Sequence, residues 1–569
     1  MKLNGAQIVF ECMRREGVRH VFGYPGGSNL PLYDTFIQYP DIQHILVRHE
    51  QSAAHAADAY ARVSEDVGVC FATSGPGATN LVTGIANAFM DSIPLVCITG
   101  SVVTTLIGRD GFQEADITGI TLPVTKHNQL VLHVEDLAQA LKEAFHIART
   151  GRPGPVLVDI PRDVQQQVCE FEYPDSVHLR GYQLPPPPDP ALARKAAALI
   201  ADAQKPLILA GHGVIISKAY AELKELAETC QIPVITTLLG ISGFPGTHDL
   251  NMGMPGMHGM YWNNMAISET DLIIACGMRF DDRVTGRLKD FAPNAKIIHI
   301  DIDPAEIGKN VRPVVAMHAD LKPALAAINA EVTPKDHPEW KAWIKAMRDE
   351  HPSIALPETD TLLPQYVVSR LYEITGGDAY VCTGVGQHQM WAAQYFRYDK
   401  PNSWVTSGGL GTMGFEIPGA LGMQVAKPHD TVWTICGDGG FQMTSQELAV
   451  FVEHKLPVKF AILNNGYLGM VKQWQQMFYK DNKSAVRMHQ PDFVKLAEAY
   501  GMKALRVTDK AGVDAGIREA MAHDGPVLVE FVVDENENCF PMVPPGASLQ
   551  ETVDQPPVLV RDKEAKATR

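Results

Sequence analysis

"CGDGGFQMTSQELAVFVEHKLPVKFAILNNGYLGM" (residues 436–470) is the stretch that decides the fold of this chain. An apolar run leads into GDG (437–439), a helix-length segment follows, and a second apolar run leads into NN (464–465). The carboxyl ends of two parallel strands joined by a helix lie at one sheet edge, so these polar groups are expected side by side. A lone GDG is also typical of a tight turn. The complete unit instead predicts a site for Mg²⁺ and a diphosphate, because one carboxylate and one amide leave the other positions to phosphate oxygens.

Apolar runs of similar length recur along the chain, separated by helix-length amphipathic segments. Examples are "VGVCFAT" (67–73), "DLIIACG" (271–277) and "VKFAILN" (458–464). Runs this uniformly apolar predict parallel sheets that are covered by helices on both faces.

Two proline-rich segments, "YQLPPPPDP" (182–190) and "HPSIALPETDTLLP" (351–364), divide the chain into three blocks. We therefore expect three α/β domains, at residues 1–170, 190–345 and 362–545. "GPVLVDI" (154–160) closes the first block and "GPVLVEF" (525–531) closes the third. This echo indicates that the first and third blocks are versions of one fold.

Composition excludes several classes of protein. The formal net charge of −16 over 569 residues gives no basic field for nucleic acid. Nine cysteines without a CxxC pair predict reduced thiols in a cytoplasmic protein. The N-terminus does not read as a secretory signal, and no 18-residue apolar run predicts a membrane span. The charged tail at residues 560–569 is expected to fray.

Glu50 lies where the apolar run "HILV" (44–47) gives way to an alanine-rich helix. One explanation is structural, since an acid at a helix start is stabilised by the free amides and the helix dipole there. A metalloprotease is excluded because "HEQSAAH" (49–55) has the wrong spacing for two zinc ligands on one helix face. Walker-type nucleotide binding is excluded because GxxxxGK[ST] is absent.

The GDG–NN unit resembles the fingerprint of enzymes that use thiamine diphosphate (ThDP), with 24 residues (440–463) between its two halves. The resemblance implies that Gly437 and Gly439 contact the diphosphate. It implies that Mg²⁺ is held by Asp438, Asn465 and the carbonyl of Tyr467. It also implies that Glu50 hydrogen-bonds the aminopyrimidine ring and drives deprotonation of the thiazolium carbon. Ala53, Ala54 and Ala56 are then expected to make room for that ring or for a neighbouring chain.

Nearly the whole chain resembles one family of ThDP enzymes, the catalytic subunits of acetohydroxyacid (acetolactate) synthases. Its three domains would bind the pyrimidine, FAD and the diphosphate, in that order. The similar segments are 21–34, 73–96, 111–116, 385–394 and 407–415. They imply ThDP contacts by Gly27, Pro76, Asn80, Gln387, His388, Gly411 and Met413. They also imply that Phe112 and Gln113 line the substrate channel, with Gln113 joining Glu50 among the catalytic groups.

The middle block resembles the flavin-binding segments of the FAD-containing synthases, at 256–259, 276–286 and 298–303. The resemblance implies FAD contacts by Arg152, His258, Arg279, Asp301 and Asp320. It also implies that Arg283 holds the carboxylate of a second 2-oxo acid, and that Met470 and Trp474 shape its pocket. The alternative for Met470 and Trp474 is an apolar stripe on a core-facing helix.

The implied reaction is decarboxylation of pyruvate and addition of the hydroxyethyl carbanion to a second 2-oxo acid. Pyruvate would give 2-acetolactate and 2-oxobutanoate would give 2-aceto-2-hydroxybutanoate, the first common step to valine, leucine and isoleucine. FAD would be architectural. Family sites set Glu50 of one chain against Asp438 of another, which implies a homodimer or homotetramer, and a small regulatory subunit is a possible partner. Alternatives are another ThDP- and FAD-dependent 2-oxo acid decarboxylase, carboligase or oxidase, and a binding subunit without activity.

The chain departs from the family at a few positions. "GSVVTT" (100–105) replaces a common family segment, Ser28 and Arg162 replace the usual alanine and lysine, and Glu416 occupies a normally small position. An inward-pointing Glu416 is the departure expected to affect activity.

Overall fold

A computed structural model describes residues 1–554, and the charged tail falls outside the described residues. Three parallel sheets flanked by helices confirm the predicted α/β class. Helices within the described range are all too short or too polar to cross a membrane. The nine cysteines are free thiols. Cys70 and Cys97 lie opposite each other on neighbouring strands, with their sulfur atoms 3.4 Å apart.

The first group of elements forms a six-stranded parallel sheet in the order β3-β2-β4-β5-β7-β6, while β1 pairs antiparallel with β8. Its strands are β1 (Lys2–Asn4), β2 (His20–Gly23), β3 (Gln43–Leu46), β4 (Gly68–Ala72), β5 (Leu95–Ser101), β6 (His127–Leu130), β7 (Pro155–Pro161) and β8 (Val168–Glu170). Its helices are α1 (Gly5–Arg15), α2 (Leu30–Thr35), α3 (Glu50–Ser64), α4 (Pro76–Asn80), α5 (Val82–Asp91), α6 (Ile117–Thr121), α7 (Leu137–Arg149) and α8 (Arg162–Gln166).

The middle group forms a five-stranded parallel sheet in the order β10-β9-β11-β12-β13. Its strands are β9 (Pro206–Ala210), β10 (Val234–Thr236), β11 (Leu272–Cys276), β12 (Lys296–Asp301) and β13 (Val315–His318). Its helices are α9 (Pro190–Asp202), α10 (His212–Ile216), α11 (Tyr220–Thr229), α12 (Tyr261–Glu269), α13 (Asp282–Thr285), α14 (Leu321–Asn329) and α15 (Pro338–Glu350). The proline-rich segments at 171–189 and 351–363 carry neither helix nor strand.

The last group forms a six-stranded parallel sheet in the order β15-β14-β16-β17-β19-β18. Its strands are β14 (Tyr380–Thr383), β15 (Trp404–Thr406), β16 (Val432–Gly437), β17 (Lys459–Asn464), β18 (Lys503–Val507) and β19 (Val527–Val532). Its helices are α16 (Pro364–Thr375), α17 (Gln387–Tyr395), α18 (Glu416–Ala426), α19 (Asp438–Thr444), α20 (Leu448–Glu453), α21 (Gly469–Phe478), α22 (Phe493–Ala499) and α23 (Val513–Met521).

The first and last parallel sheets share one topology. Counted in chain order, both place their strands as second, first, third, fourth, sixth and fifth. The echoing segments "GPVLVDI" and "GPVLVEF" form β7 and β19, which occupy the same place in the two sheets. The suggestion that these two blocks are versions of one fold is therefore confirmed.

Helices α3 and α18 each follow the second strand of their sheet, and they pack directly against each other. A Cβ added to Gly422 would overlap the backbone carbonyl of Ala56, so the two helices approach at backbone distance. A Cβ added to Gly84 of α5 would overlap the Ala54 side chain, so α3 and α5 are also closely packed. For Ala54 and Ala56, the expectation that they admit a cofactor ring or another chain is wrong, because helices of the same chain fill that space.

Candidate functional site

Glu50 is the first residue of α3, but it is not the cap of that helix. The N-cap is His49, whose side chain accepts the amide of Gln51 at 3.1 Å. The buried Glu50 carboxylate instead accepts a hydrogen bond from Asn80 Nδ2 at 2.9 Å. Glu50 is therefore not the capping residue, although its place in the first turn of α3 still lets the helix dipole stabilise the carboxylate.

Four other predicted residues lie at the same edge of the first sheet, two of them on the short helix α4 and two on loops. Pro76 begins α4, and a Cβ added to Gly77 would lie 3.2 Å from Glu50 Oε1. Gln113 packs against Gly75 and has a φ of 61°, a strained value for a residue with a side chain. The remaining members of this group are Asn80 and Gly27, whose neighbour Ser28 hydrogen-bonds the Thr73 and Ser74 side chains. Phe112 is 89% exposed.

The GDG–NN unit forms as the spacing predicts. Strand β16 ends at Gly437, α19 begins at Asp438, and the neighbouring strand β17 ends just before Asn465. Burial raises the pKa of the Asp438 carboxyl to about 7, and Gln490 Nε2 donates to its Oδ2 at 2.6 Å. Asn465 Oδ1 accepts the amide of Tyr467 at 3.1 Å. A cation placed here would favour the charged carboxylate.

This donor set fits Mg²⁺ better than a metal held by protein alone. Residues 1–554 contain no cluster of three or more His, Cys, Asp and Glu side chains arranged around a metal. One carboxylate, one amide oxygen and one backbone carbonyl are few ligands, and Mg²⁺ takes such sparse sets when phosphate and water complete its shell.

Besides the predicted Mg²⁺ ligands, His388 also indicates an anion-binding site. It is buried beside Gly437, where an added Cβ would lie 2.7 Å from its Nδ1. Its Nε2 has no hydrogen-bond partner within the described part of the chain, although a buried ring nitrogen normally has one. Burial lowers the pKa of His388 to about 3, so the ring is neutral. A diphosphate oxygen would satisfy the Nε2 hydrogen of the suitable tautomer.

Gly411 and Met413 lie on the segment 407–413, which is fastened to the first group of elements. Gly408 and Gly409 donate their amides to the Asp91 carboxylate at 3.1 and 2.6 Å. Asp91 also pairs with the buried Arg62 at 2.8 Å. Sequence reasoning missed Asp91, although it lies inside the segment 73–96 that carries the family resemblance.

One cavity of about 740 Å³ is lined by the predicted flavin residues and by most of the predicted substrate residues. Its size is within the range of cofactor sites. Its lining includes Arg152, His258, Arg279, Asp301 and Asp320, together with Arg283, Gly411, Met413, Met470 and Trp474. Phe112 and Gln113 are not part of that lining.

Acidic groups shape one end of the cavity. Asp301 ends β12, and burial raises its pKa to about 6. Arg152 pairs with Asp303 at 3.1 Å and with Glu306 at 2.9 Å. Glu306 also lines the cavity and was not predicted; its signal was the acidic run that continues beyond β12. An acid at the end of a parallel strand is suited to a ribose hydroxyl.

The group around Glu50 and the predicted Mg²⁺ ligands are not joined directly by hydrogen bonds in the described part of the chain. Across residues 1–554, no hydrogen bond joins the group around Glu50 to Asp438, Asn465 or Tyr467. The contact between the first and last groups near Glu50 runs instead from the Arg48 amide to both Glu447 oxygens, at 3.0 Å each.

Glu416 points into the protein. It is fully buried, and neither carboxylate oxygen has a hydrogen-bond partner in the described structure. A Cβ on Gly384 or Gly440 would overlap the carboxylate, so these glycines form a slot for it. Burial raises the pKa of Glu416 to about 7. Gly440, one wall of this slot, follows Asp438 by two positions on α19.

Family models match all three groups of elements. The N-terminal TPP binding domain of thiamine pyrophosphate enzymes matches residues 3–120, the central domain 193–328 and the C-terminal TPP binding domain 384–531.

Three relatives illustrate the similarity. The chain is 51% identical to the acetolactate synthase of Mycobacterium bovis, covering 97% of this chain and 91% of the relative. It is 47% identical to the acetolactate synthase large subunit of Corynebacterium glutamicum, covering 96% and 89%. It is 45% identical to the chloroplastic acetolactate synthase 1 of Oryza sativa, covering 96% and 87%. With half of its residues shared over nearly its full length, the chain belongs to the acetolactate synthase family of thiamine pyrophosphate enzymes.

Proposed function

We propose that this chain condenses pyruvate with a second 2-oxo acid, releasing CO₂, to make 2-acetolactate or 2-aceto-2-hydroxybutanoate for branched-chain amino acid synthesis. The observation that carries the proposal is the shared cavity, which brings Arg283 and Trp474 to Gly411 and Met413 of the predicted ThDP site. Thiamine diphosphate, when bound, supplies an electron sink for decarboxylation.

The chain's own residues divide the work of holding that cofactor. Asp438, Asn465 Oδ1 and the Tyr467 carbonyl would hold Mg²⁺, and His388 Nε2 would donate to a diphosphate oxygen. Glu50 would share a proton with the aminopyrimidine ring nitrogen, since its carboxylate is buried and Asn80 leaves one oxygen available.

Arg283 and Trp474 are the groups proposed to select the second substrate. The Arg283 guanidinium faces the cavity, and among residues 1–554 its partners are Met257 Sδ and the more distant Asp282. A planar guanidinium with free donors is suited to a substrate carboxylate. Trp474 and Met470, one helical turn apart on α21, would pack against the alkyl end.

FAD is the ligand we propose for the remainder of the cavity. Asp301 would accept a ribose hydroxyl, while Arg152 and Arg279 would face the phosphates. The flavin would brace the segment 407–413, which lines the same cavity, and it needs no net redox change in this reaction.

We propose that a second copy of the chain completes the site, because no hydrogen bond within residues 1–554 links Glu50 to the predicted Mg²⁺ ligands. The Corynebacterium glutamicum relative is named a large subunit, and a small regulatory partner is proposed on that basis. Nine free thiols are in keeping with a cytoplasmic location.

An acetoin assay tests the reaction. The purified chain is incubated with pyruvate, ThDP, Mg²⁺ and FAD, and acid then converts acetolactate to acetoin for colour detection. Acetoin that appears only after acidification supports the proposal. Acetaldehyde as the main product would identify a decarboxylase, and reduction of the flavin during turnover would identify an oxidase.

A further inference from the structure

Gln473 lies beside Trp474 on α21, yet its side chain is completely buried. Its amide is paired with the backbone of Cys539 in both directions. Gln473 Nε2 donates to the Cys539 carbonyl at 2.8 Å, and Gln473 Oε1 accepts the Cys539 amide at 2.9 Å. A backbone N–H can only donate and a backbone carbonyl can only accept, so the orientation of the Gln473 amide is determined.

The orientation of the Gln473 amide also determines the orientation of a second side-chain amide, that of Gln387. Gln473 Oε1 also accepts from Gln387 Nε2 at 2.9 Å. Gln387 must therefore turn its oxygen the other way, where Oε1 accepts from Asn465 Nδ2 at 3.2 Å. A Cβ on Gly469 would overlap Gln387 Oε1, so only glycine lets α21 begin this close to the pair.

The third amide belongs to a predicted Mg²⁺ ligand. With Nδ2 directed to Gln387, Asn465 directs its Oδ1 to the Tyr467 amide and to the sheet edge that carries Asp438. A flipped Asn465 would present an NH₂ group, which repels a cation. The buried series Gln473–Gln387–Asn465 thus has one internally consistent polarity, and low-dielectric surroundings strengthen such a network.

We propose that Gln473 is a positioning residue which, through Gln387, holds the Asn465 oxygen toward Mg²⁺ and couples metal binding to the second-substrate pocket. The coupling arises because Gln473 and Trp474 are neighbours on α21, which Lys472 also fastens to the Glu535 carbonyl. The inference rests on the proposed function for its substrate pocket, but its metal-binding part does not require turnover.

The test compares two substitutions at Gln473 with opposite expected rankings. Gln473→Met keeps the length and removes every hydrogen bond, so it should be the better folded variant. Gln473→Glu keeps oxygen acceptors for Gln387 and Cys539, so it should bind metal better even though burying an acid costs stability. A residue with a merely structural role would rank the two variants alike in both measurements.

Metal affinity is read directly, without catalysis, by electron paramagnetic resonance of Mn²⁺ in the presence of ThDP and FAD. We expect Gln473→Met to weaken Mn²⁺ binding about fivefold, the effect of one neutral hydrogen bond, and Gln473→Glu to weaken it less. The ratio of acetohydroxybutanoate to acetolactate from mixed substrates should shift in Gln473→Met.

Gln424→Met is the matched control. Gln424 is a buried amide of α18 that donates to the Lys427 and Asp430 carbonyls, away from the site. It should lower thermal stability without changing Mn²⁺ affinity or product ratio. If Gln473→Met does not fold, Gln473→Asn replaces it, since its shorter side chain cannot reach both Cys539 and Gln387.

Two results would overturn the inference. Unchanged Mn²⁺ affinity in a folded Gln473→Met or Gln473→Asn protein would make Gln473 a core residue. Weakened metal binding with an unchanged product ratio would remove the coupling to the pocket. If the wild-type chain binds Mn²⁺ and ThDP but forms no acetolactate, the proposed function fails while the metal-positioning part stands.

Discussion

The Glu50 carboxylate accepts the side-chain amide of Asn80 at 2.9 Å, while the neighbouring His49 caps the helix that Glu50 begins. The helix cap thus belongs to His49 and not to Glu50. Substitution of Glu50 can therefore test its proposed catalytic role without removing the cap.

Glu50→Gln should leave thermal stability and ThDP binding close to wild type while lowering carboligation by about 10²–10⁴-fold, the usual contribution of a positioned acid or base. The amide is isosteric but cannot share a proton with the aminopyrimidine ring. Acetolactate formation and ThDP affinity, measured on the same preparation, check this. A rate near wild type would remove Glu50 from the catalytic role.

Asp438→Ala should weaken Mg²⁺ and ThDP binding together, because the metal would join the carboxylate to the diphosphate. Calorimetric titration of ThDP at several Mg²⁺ concentrations measures both affinities. Asp509→Ala is a suitable control, since Asp509 is the cap of a short helix elsewhere in the last group of elements. If both affinities are the same in Asp438→Ala and wild type, the metal site has been misplaced.

Trp474→Leu should leave pyruvate self-condensation largely intact while eroding the preference for 2-oxobutanoate. Packing one extra methyl group against the indole is worth ~1–3 kcal/mol, or ~10–200-fold in preference. A competition between both oxo acids, with the two products quantified, gives the ratio. Phe478→Leu is the matched control, because Phe478 touches the Trp474 ring but does not line the cavity of about 740 Å³ that holds the predicted flavin residues. If the ratio of the two products is unchanged in Trp474→Leu, Trp474 belongs to an apolar stripe on a core-facing helix instead.

Glu416→Gln should stabilise the protein at pH 8 but not at pH 5. Burial raises the pKa of Glu416 from its ordinary 4.5 to about 7, so the folded state keeps a proton that the unfolded chain has already lost. Stability therefore falls as pH rises from 4.5 to 7, by about 3 kcal/mol in total. The neighbouring thiols of Cys382 and Cys436 do not titrate here, because burial raises their pKa further above the ordinary value.

Urea unfolding of wild type and Glu416→Gln at the two pH values measures this difference. An amide fits the same slot between Gly384 and Gly440 without carrying charge. Equal gains at pH 5 and pH 8 would show that the ionisation of Glu416 is not what destabilises the chain.

Local patterns were sufficient for the sheets and for one edge of the site. The run before GDG and the run before NN are uniformly apolar, so β16 and β17 could be placed as neighbouring parallel strands, and with them Asp438 and Asn465. The three-sheet class follows from the same repeated pattern, because the alternation of strand and helix is a property of short windows of sequence.

Local patterns did not show which of these elements pack against each other. The alanines of α3 read equally well as room for a ring, a second chain or another helix. Only the packed structure shows that Gly422 of α18, more than 350 residues away, lies against Ala56. Asp91 was passed over for the same reason, since its role depends on Gly408 and Gly409 in a different sheet.

By itself, the sequence determined which residues are predicted to carry the chemistry. These are an acid after β3, a carboxylate after β16, an amide after β17, and the arginines and tryptophan proposed to bind the substrate. Tertiary structure alone decided how these are held. It buried Glu416 in a glycine slot, and it aligned Gln473, Gln387 and Asn465 into one series of amides. The physical reason is range: periodicity and strand ends are local signals, whereas a buried polar group is satisfied or left unpaired by whichever distant segments the packing brings to it.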